Sequence, residues 1–243
     1  MTDIVIPLGS GSIWGDEEEL KHALRSVEKH LNNVGKVIII GRKPPKWITN
    51  ITFLYKEDEV GIAWKDKNIY SKIVTACEAS EVSENFLFMN DDHFLTMDFD
   101  LPYYPYYFRE NDMISTIVAN HKNIAWMTAI ENTRKFLLSN GYDAKMYDTH
   151  TPIMYNKQAF VNSVSQADWN VPFGYGIKSL YGNMNDVGGL MMPDAKLFSS
   201  ETHHDYMMKK ISNKPCFSTS PYIPAQQKEL IEKFFPDKSK WEF

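Results

Sequence analysis

Asp3-Ile4-Val5-Ile6-Pro7-Leu8, at the head of the stretch from residue 3 to residue 41, reads as a short buried strand running into a turn. Leu20, Ala23, Leu24, Val27 and Leu31 then recur at helical spacing, with Asp16 and Glu19 at capping-box spacing ahead of them. Asn32-Asn33 and Gly35 close that helix, and Lys36-Val37-Ile38-Ile39-Ile40-Gly41 follows as a second strand. Its unbroken β-branched run suits a strand covered on both faces, as in the middle of a parallel sheet. Strand, helix and strand in this order make one right-handed βαβ unit.

Working outward, Ile51–Tyr55 reads as a third strand. Lys67–Ala79 reads as a helix with Ile69, Ile73, Ala76 and Cys77 inward, and Phe86–Met89 as a further apolar strand. Residues 1–100 thus have the pattern of a doubly wound, nucleotide-binding half. Beyond them, Leu101–Phe108 reads as an ordered Tyr- and Pro-rich loop, Asp112–Asn120 as a strand and Ile124–Leu138 as a helix. Thr151–Tyr155 reads as a strand and Gln226–Phe235 as a closing helix, with turns at Asn140-Gly141, Gly174-Tyr175-Gly176 and Gly188-Gly189. No repeat or linker divides the chain. The expectation is one α/β domain over 1–243, Rossmann-like, with a mostly parallel central sheet flanked by helices; 1–100 would bind the nucleotide and 101–243 the acceptor.

With 243 residues, 43% hydrophobic and 23% charged, the composition is that of a globular chain and excludes a disordered or collagen-like one. No run approaches the ~18 apolar residues of a membrane span, and the first residues have no signal-peptide character. Cys77 and Cys216 are the only cysteines, so no disulfide framework exists and a cytoplasmic setting is expected. A net charge of −5 gives no support to non-specific nucleic-acid binding, although it leaves room for a local basic groove.

The segment richest in chemistry is Phe86-Leu87-Phe88-Met89-Asn90-Asp91-Asp92-His93. A buried strand here delivers two adjacent carboxylates to its C-terminal end, the edge where open α/β sheets bind ligands. Two neighbouring anions repel unless a cation joins them. Mg²⁺ or Mn²⁺ bridging to a diphosphate meets that need. The dipeptide alone fits a solvated turn equally well; the apolar strand before it favours the metal.

Other candidates are weaker. Pro7-Leu8-Gly9-Ser10-Gly11-Ser12 would lie on the same edge, where small residues let backbone N–H groups approach a phosphate or base. It matches neither a Walker motif nor the dinucleotide fingerprint, and a plain turn explains it as well. Arg42 and Lys43 follow the second strand, where a solvated pair is the commoner reading. Asn68 and Lys72 share a helix face at i and i+4, and Lys65 and Lys67 stand near the helix start, all able to face a pyrophosphate or plain solvent. His150, with Asp148 nearby, could act as acid or base or be a satisfied structural histidine. Asp186 is an alternative group for orienting or deprotonating an acceptor hydroxyl. His203 and His204 could complete an ion's ligands, and Lys209, Lys210 and Lys214 could neutralise a leaving phosphate, although a surface His pair is the commoner explanation. Nothing has zinc-site spacing. The phenols of Tyr103 to Tyr107 suit either packing or acceptor recognition.

Five patches, in order, resemble the Stealth family of capsular sugar-phosphate transferases and relatives of GlcNAc-phosphotransferase. Leu20–Glu28 resembles its "LRYSLRSVE", and Val37–Trp47, ending Pro44-Pro45-Lys46-Trp47, its strand, polar turn and "PxWL". Phe86–Phe94 resembles the strand ending in "NDD", His150-Thr151-Pro152 the "HxP", and Phe235–Glu242 the closing "FPExSxFE". The resemblance implies a type-A glycosyltransferase-like fold using a nucleotide sugar, UDP-linked by expectation, and Mn²⁺ or Mg²⁺. It gives Asp91 and Asp92 the metal and diphosphate role, and His150 a place in the catalytic pocket. One departure matters: the family's first region reads "WVDGSDP", whereas Ile6–Trp14 has no Asp before its Gly. That favours glycosyl transfer over sugar-1-phosphate transfer. His203–Pro215 also resembles, more briefly, the late His and Lys-Pro of metal-dependent retaining glycosyltransferases.

The expected function is therefore metal-dependent transfer of a sugar to an acceptor hydroxyl. The acceptor would be a glycan, or a hydroxymethylated base of phage DNA in the host cytoplasm. Sugar-1-phosphate transfer and a non-catalytic nucleotide-sugar-binding module are the alternatives. The expected donor contacts are Pro7, Gly9, Ser10, Gly11, Arg42, Asn68, Lys72, Asp91 and Lys209; the expected metal ligands are Asp91, Asp92, His203 and His204; the expected catalytic groups are His150, Asp186 and Asp92.

Overall fold

The computed structural model describes residues 1–9, 14–15, 17–61, 64–119 and 124–243. In chain order its elements begin with β1 (Thr2–Pro7), α1 (Glu18–His30), β2 (Leu31–Asn32), β3 (Val34–Gly41), β4 (Thr52–Tyr55), α2 (Lys65–Glu78) and β5 (Asn85–Phe88). β6 (Phe94–Leu95), β7 (Phe99–Asp100), β8 (Tyr107–Phe108), α3 (Ile114–Ala119), α4 (Ile124–Ser139), β9 (Ile153–Asn156) and α5 (Lys157–Val164) follow. The chain closes with α6 (Ile177–Met184), β10 (Leu190–Met191), β11 (Lys196–Leu197), α7 (His204–Ile211), β12 (Cys216–Thr219) and α8 (Ala225–Phe234).

The central sheet has five strands in the order β4-β3-β1-β5-β9. Its first four are parallel, with Val5 opposite Ile38 and Phe88, while β9 runs antiparallel to β5. The fold is thus mixed α/β with a parallel-rich centre, and the edge strand β9 comes from the later half of the chain. Alternation along each strand sends side chains to opposite faces. Ile4, Ile6, Val37, Ile39 and Leu87 pack with Leu20, Ala23, Leu24 and Val27 of α1. Val5, Ile38, Ile40, Phe86 and Phe88 pack on the other face with Ile73 and Ala76 of α2 and Leu180 of α6. Each wholly buried aliphatic or aromatic side chain contributes about 1.5–3 kcal/mol. A second sheet, β11-β12-β6, sits over the α1 side of the core through Phe94, Leu95 and Phe217.

One local expectation changes. The apolar and β-branched character of Ile114, Thr116, Ile117 and Val118 predicts a strand over 112–120. The segment contains α3 instead: Asp112 accepts the Ile114 N–H (3.0 Å) and is held by Arg134 (2.6 Å), which starts a helical turn there. Met113, Thr116 and Ile117 are then buried at helical spacing, while Ile114 and Val118 face solvent. At α1, Asp16 lies outside the described residues, and the residue before the helix is Glu17 in left-handed backbone (φ 60°). Glu19 is buried and accepts the Thr219 hydroxyl of β12 at 3.1 Å.

The Arg25–Glu242 contact explains two of the sequence patches. Arg25 on α1 meets the Glu242 carboxylate with both Nε (2.8 Å) and Nη2 (2.7 Å) and also reaches the Phe235 carbonyl. Glu242 accepts the Ser239 N–H as well. "Leu-Arg-Ser-Val-Glu" and "Phe-Pro-Asp-Lys-Ser-Lys-Trp-Glu" are therefore the two sides of one clasp that fixes the C-terminal segment to the first helix.

Candidate active site

The parallel strands end together at one edge of the sheet, at Pro7, Gly41, Tyr55 and Phe88. Beyond the end of β5 lies a cavity of about 360 Å³ lined by residues including Lys65, Asp66, Asn90, Trp126, Asp148, His150, Lys178 and Lys196. That volume falls within the range of ligand pockets.

Asp91 and Asp92 follow β5 directly, as the sequence predicts. Asp92 Oδ1 is buried without a hydrogen-bond partner among the described residues. Burial first, then Asp92 and Glu19, push the Asp91 carboxyl up from the ordinary carboxylate range. Lys65, exposed at the first turn of α2, is pulled down by desolvation, but Asp92 and Asp91 outweigh this and raise it. His93 is wholly buried: its Nδ1 takes the Asn90 N–H at 3.3 Å, and its Nε2 has no partner among the described residues. Burial, then Lys178 and His150, hold it well below the usual histidine range, so it is neutral.

The His150 wall is a chain of three groups. Asp194 accepts the His150 N–H (3.0 Å) and meets Nδ1 (2.5 Å), while Lys196 Nζ lies 3.0 Å from Nε2. Burial opposes ionisation of Asp194, but His150 overrides it and brings the carboxyl down to about 2. Asp194 and Lys196 thus engage the two ring nitrogens of His150. Lys196, lowered by burial, sits in the field of Asp92 and Asp194.

The pocket floor is built by the start of α6. Asp148 accepts the N–H groups of Lys178 (3.3 Å) and Ser179 (3.1 Å), the favoured place for an anion at a helix N-terminus. Buried Lys178 donates to the carbonyls of Thr149 and Thr151, each at 2.7 Å, which fixes the segment carrying His150. Gly176 precedes α6, and a Cβ there would meet the Asp148 carboxylate and sit 2.9 Å from Ile130 Cδ1. Gly176→Ala is therefore expected to cost about 2 kcal/mol, the scale of overpacking, read as a lowered thermal midpoint.

The remaining candidates are scattered. Pro7 is buried at the end of β1 and Gly9 is exposed beyond it; Ser10 and Gly11 lie outside the described residues. Arg42 is exposed and pairs with Glu57 at 3.7 Å. Asn68 and Lys72 share a face, but both polar heads hold the protein's own loops. Asn68 accepts from Glu59 N and Val60 N and donates to the Val60 carbonyl, and Lys72 donates to the Leu8 carbonyl (2.8 Å) and Asp58 (2.5 Å). Asp186 is exposed on the turn after α6. It is not among the residues that line the pocket. His203, His204 and Lys209 are exposed at and along α7. Among the described residues no group of three or more His, Cys, Asp or Glu side chains is arranged to hold a metal ion. In the Tyr-rich segment, Tyr104 is buried against Phe99 and Tyr107, so packing accounts for it.

Sequence reasoning passes over Asp66, Lys178, Asp194 and Lys196. A signal exists for the last two: in an extended segment residues i and i+2 share a face, and Asp194 and Lys196 flank the buried Ala195.

No protein-family model matches the chain, and no curated protein matches it. Among solved structures the chain is similar to mouse xyloside xylosyltransferase 1 in its apo form, at 7% identity and a TM-score of 0.44, over 89% of this chain and 96% of that chain. Likeness at that level carries no weight for activity, so the chemistry rests on the pocket itself. Among the described residues no helix is long and apolar enough to cross a membrane.

Proposed function

We propose that this chain is a glycosyltransferase that moves a sugar from a nucleotide-sugar donor to an acceptor hydroxyl. The observation that carries this reading is the pair Asp91-Asp92 at the end of β5, with a buried and unpartnered carboxylate oxygen, facing Lys65 and Lys196. A divalent cation fits these residues. Two oxygen donors on one segment, one lacking any partner among the described residues, match how Mg²⁺ and Mn²⁺ bind through one or two carboxylates plus substrate phosphates. When bound, such an ion supplies Lewis acidity to the departing diphosphate. Asp91 and Asp92 would hold it; the exposed His203 and His204 are left out of this set.

The chain's own groups have the following parts. Backbone at Pro7 and Gly9 lies along the nucleotide, and Arg42 reaches its ribose or phosphate. Asn68 and Lys72 act indirectly, by holding residues 59–60 and the Leu8 carbonyl beside that edge. Lys65 and Lys196 neutralise the diphosphate as charge develops on it, a preorganised electrostatic role. His150 and Asp194 keep the Lys196 ammonium in place. Lys209, exposed on α7, is not needed for this. The reading takes residues 1–243 as one domain working in the cytoplasm.

The test is a panel of nucleotide sugars incubated with the protein and Mn²⁺, with the released nucleotide identified by chromatography. One donor is expected to yield a nucleoside diphosphate, faster when a saccharide acceptor is added. Release of the nucleoside monophosphate would make the chain a sugar-1-phosphate transferase instead. Donor binding without turnover would make it a binding module.

A further inference from the structure

Among the described side chains that line the cavity, one proton acceptor is left without a partner. Six titratable side chains line the cavity: Lys65, Asp66, Asp148, His150, Lys178 and Lys196. Three of the six are lysines and serve as cations. Both ring nitrogens of His150 are engaged, by Asp194 and by Lys196. Asp148 is pinned by two helix amides. Asp66, in the first turn of α2, has no hydrogen bond or ion pair among the described residues. Around it the cavity offers walls suited to a sugar ring. Trp126 and Ile69 line it.

We infer that Asp66 is the catalytic base that takes the proton of the acceptor hydroxyl, in a pocket that seats the acceptor sugar between Asp66, Asp148 and Trp126. The inference rests on the glycosyl-transfer reading above and assigns a role that the sequence offers to His150 and Asp186. In the step, the acceptor O–H proton passes to the Asp66 carboxylate and the acceptor oxygen forms a bond to the anomeric carbon. The bond from that carbon to the diphosphate breaks, and its electron pair leaves on the diphosphate oxygen. Because the base acts on an incoming nucleophile in a single displacement, the anomeric configuration inverts. The surroundings tune Asp66 to accept a proton. Burial, then the facing Asp148, push its carboxyl up to about 7, against Lys65 on its own helix and Lys178 on α6. A base with that affinity is half-ionised near neutrality, where general-base catalysis is most effective.

The experiment compares the wild-type chain with Asp66→Asn, using the donor and acceptor found in the panel assay. Expected for the variant are an unchanged donor dissociation constant by calorimetry and transfer slowed about 100-fold or more. For the wild type, kcat/KM is expected to rise with pH through about 7, and the product to have inverted configuration by NMR. Transfer by Asp66→Asn within about threefold of wild type would overturn the inference. So would a product of retained configuration, which is read on the wild-type enzyme and so does not depend on how the variant folds. Should the wild type turn over no donor at all, the glycosyltransferase reading itself fails, and that outcome is distinct from both.

Discussion

Asp92→Asn is expected to reduce donor turnover by about 100- to 1,000-fold, the scale lost when a preorganised electrostatic group is removed from a transition state. Release of nucleoside diphosphate, with and without acceptor, measures it. The fold should be unharmed, because Asp92 Oδ1 has no hydrogen bond among the described residues to lose and the carboxylate crowds Asp91. The thermal midpoint of the metal-free variant is therefore expected to match or exceed that of the wild type at about pH 8, above the raised Asp91 value. Loss of activity together with a lowered midpoint would place Asp92 in the structure and not in the chemistry.

The largest effect on stability is expected from Glu242→Ala. It leaves the Arg25 guanidinium, whose side chain is only 14% exposed, facing a gap where a carboxylate 5% exposed had stood. Removing one partner of a buried ion pair costs about 3–5 kcal/mol, since the other charge remains desolvated. For a chain of this size that is roughly 10 °C in thermal midpoint. Arg25→Lys should be destabilised too, because the contact is a two-nitrogen fork that an ammonium cannot reproduce. The pH dependence has a definite sign. Burial opposes ionisation of Glu242, but Arg25 and the Ser239 amide hold its carboxyl below the usual value. The stabilisation is thus fully present above the unfolded glutamate value near pH ~4.3 and is lost as pH falls through the depressed folded value. The midpoints of wild type and Glu242→Ala should converge in acid.

The parts of the fold that can be read in advance are those where one physical signal has no rival. β1 and β3 are covered on both faces, so their sequences are unbroken apolar runs; α1 has a single buried stripe, so its period is plain. α3 shows the opposite case. Its β-branched content argues for a strand, but the Asp112 cap and the packing of Met113 and Ile117 outweigh that preference. α6 is hidden in the sequence, since Gly182 lies inside it. The structure gives the reason for that glycine: a Cβ there would meet the ring of Tyr147, 2.6 Å from its Cδ2.

The candidate site is half legible. Asp91 and Asp92 stand out because a buried strand runs straight into them. The His150–Asp194–Lys196 chain does not, because Asp194 and Lys196 are 44 and 46 residues from His150 and meet it only when β11 is laid beside the segment before β9. Asn68 and Lys72 lie on one face as their spacing requires, yet spacing cannot tell that their polar ends are already taken by the backbone at Val60 and Leu8. Asp186 lies at the far end of a helix that periodicity does not reveal, away from the pocket.

The central claim is that Asp91 and Asp92 hold a divalent cation on a nucleoside diphosphate. Calorimetric titration of UDP into the protein, with Mn²⁺ and then with EDTA, tests it most directly. Tight binding that depends on Mn²⁺ and is lost in Asp92→Asn is the result the account predicts; UDP binding of equal strength with Mn²⁺, with EDTA and in the variant would contradict it.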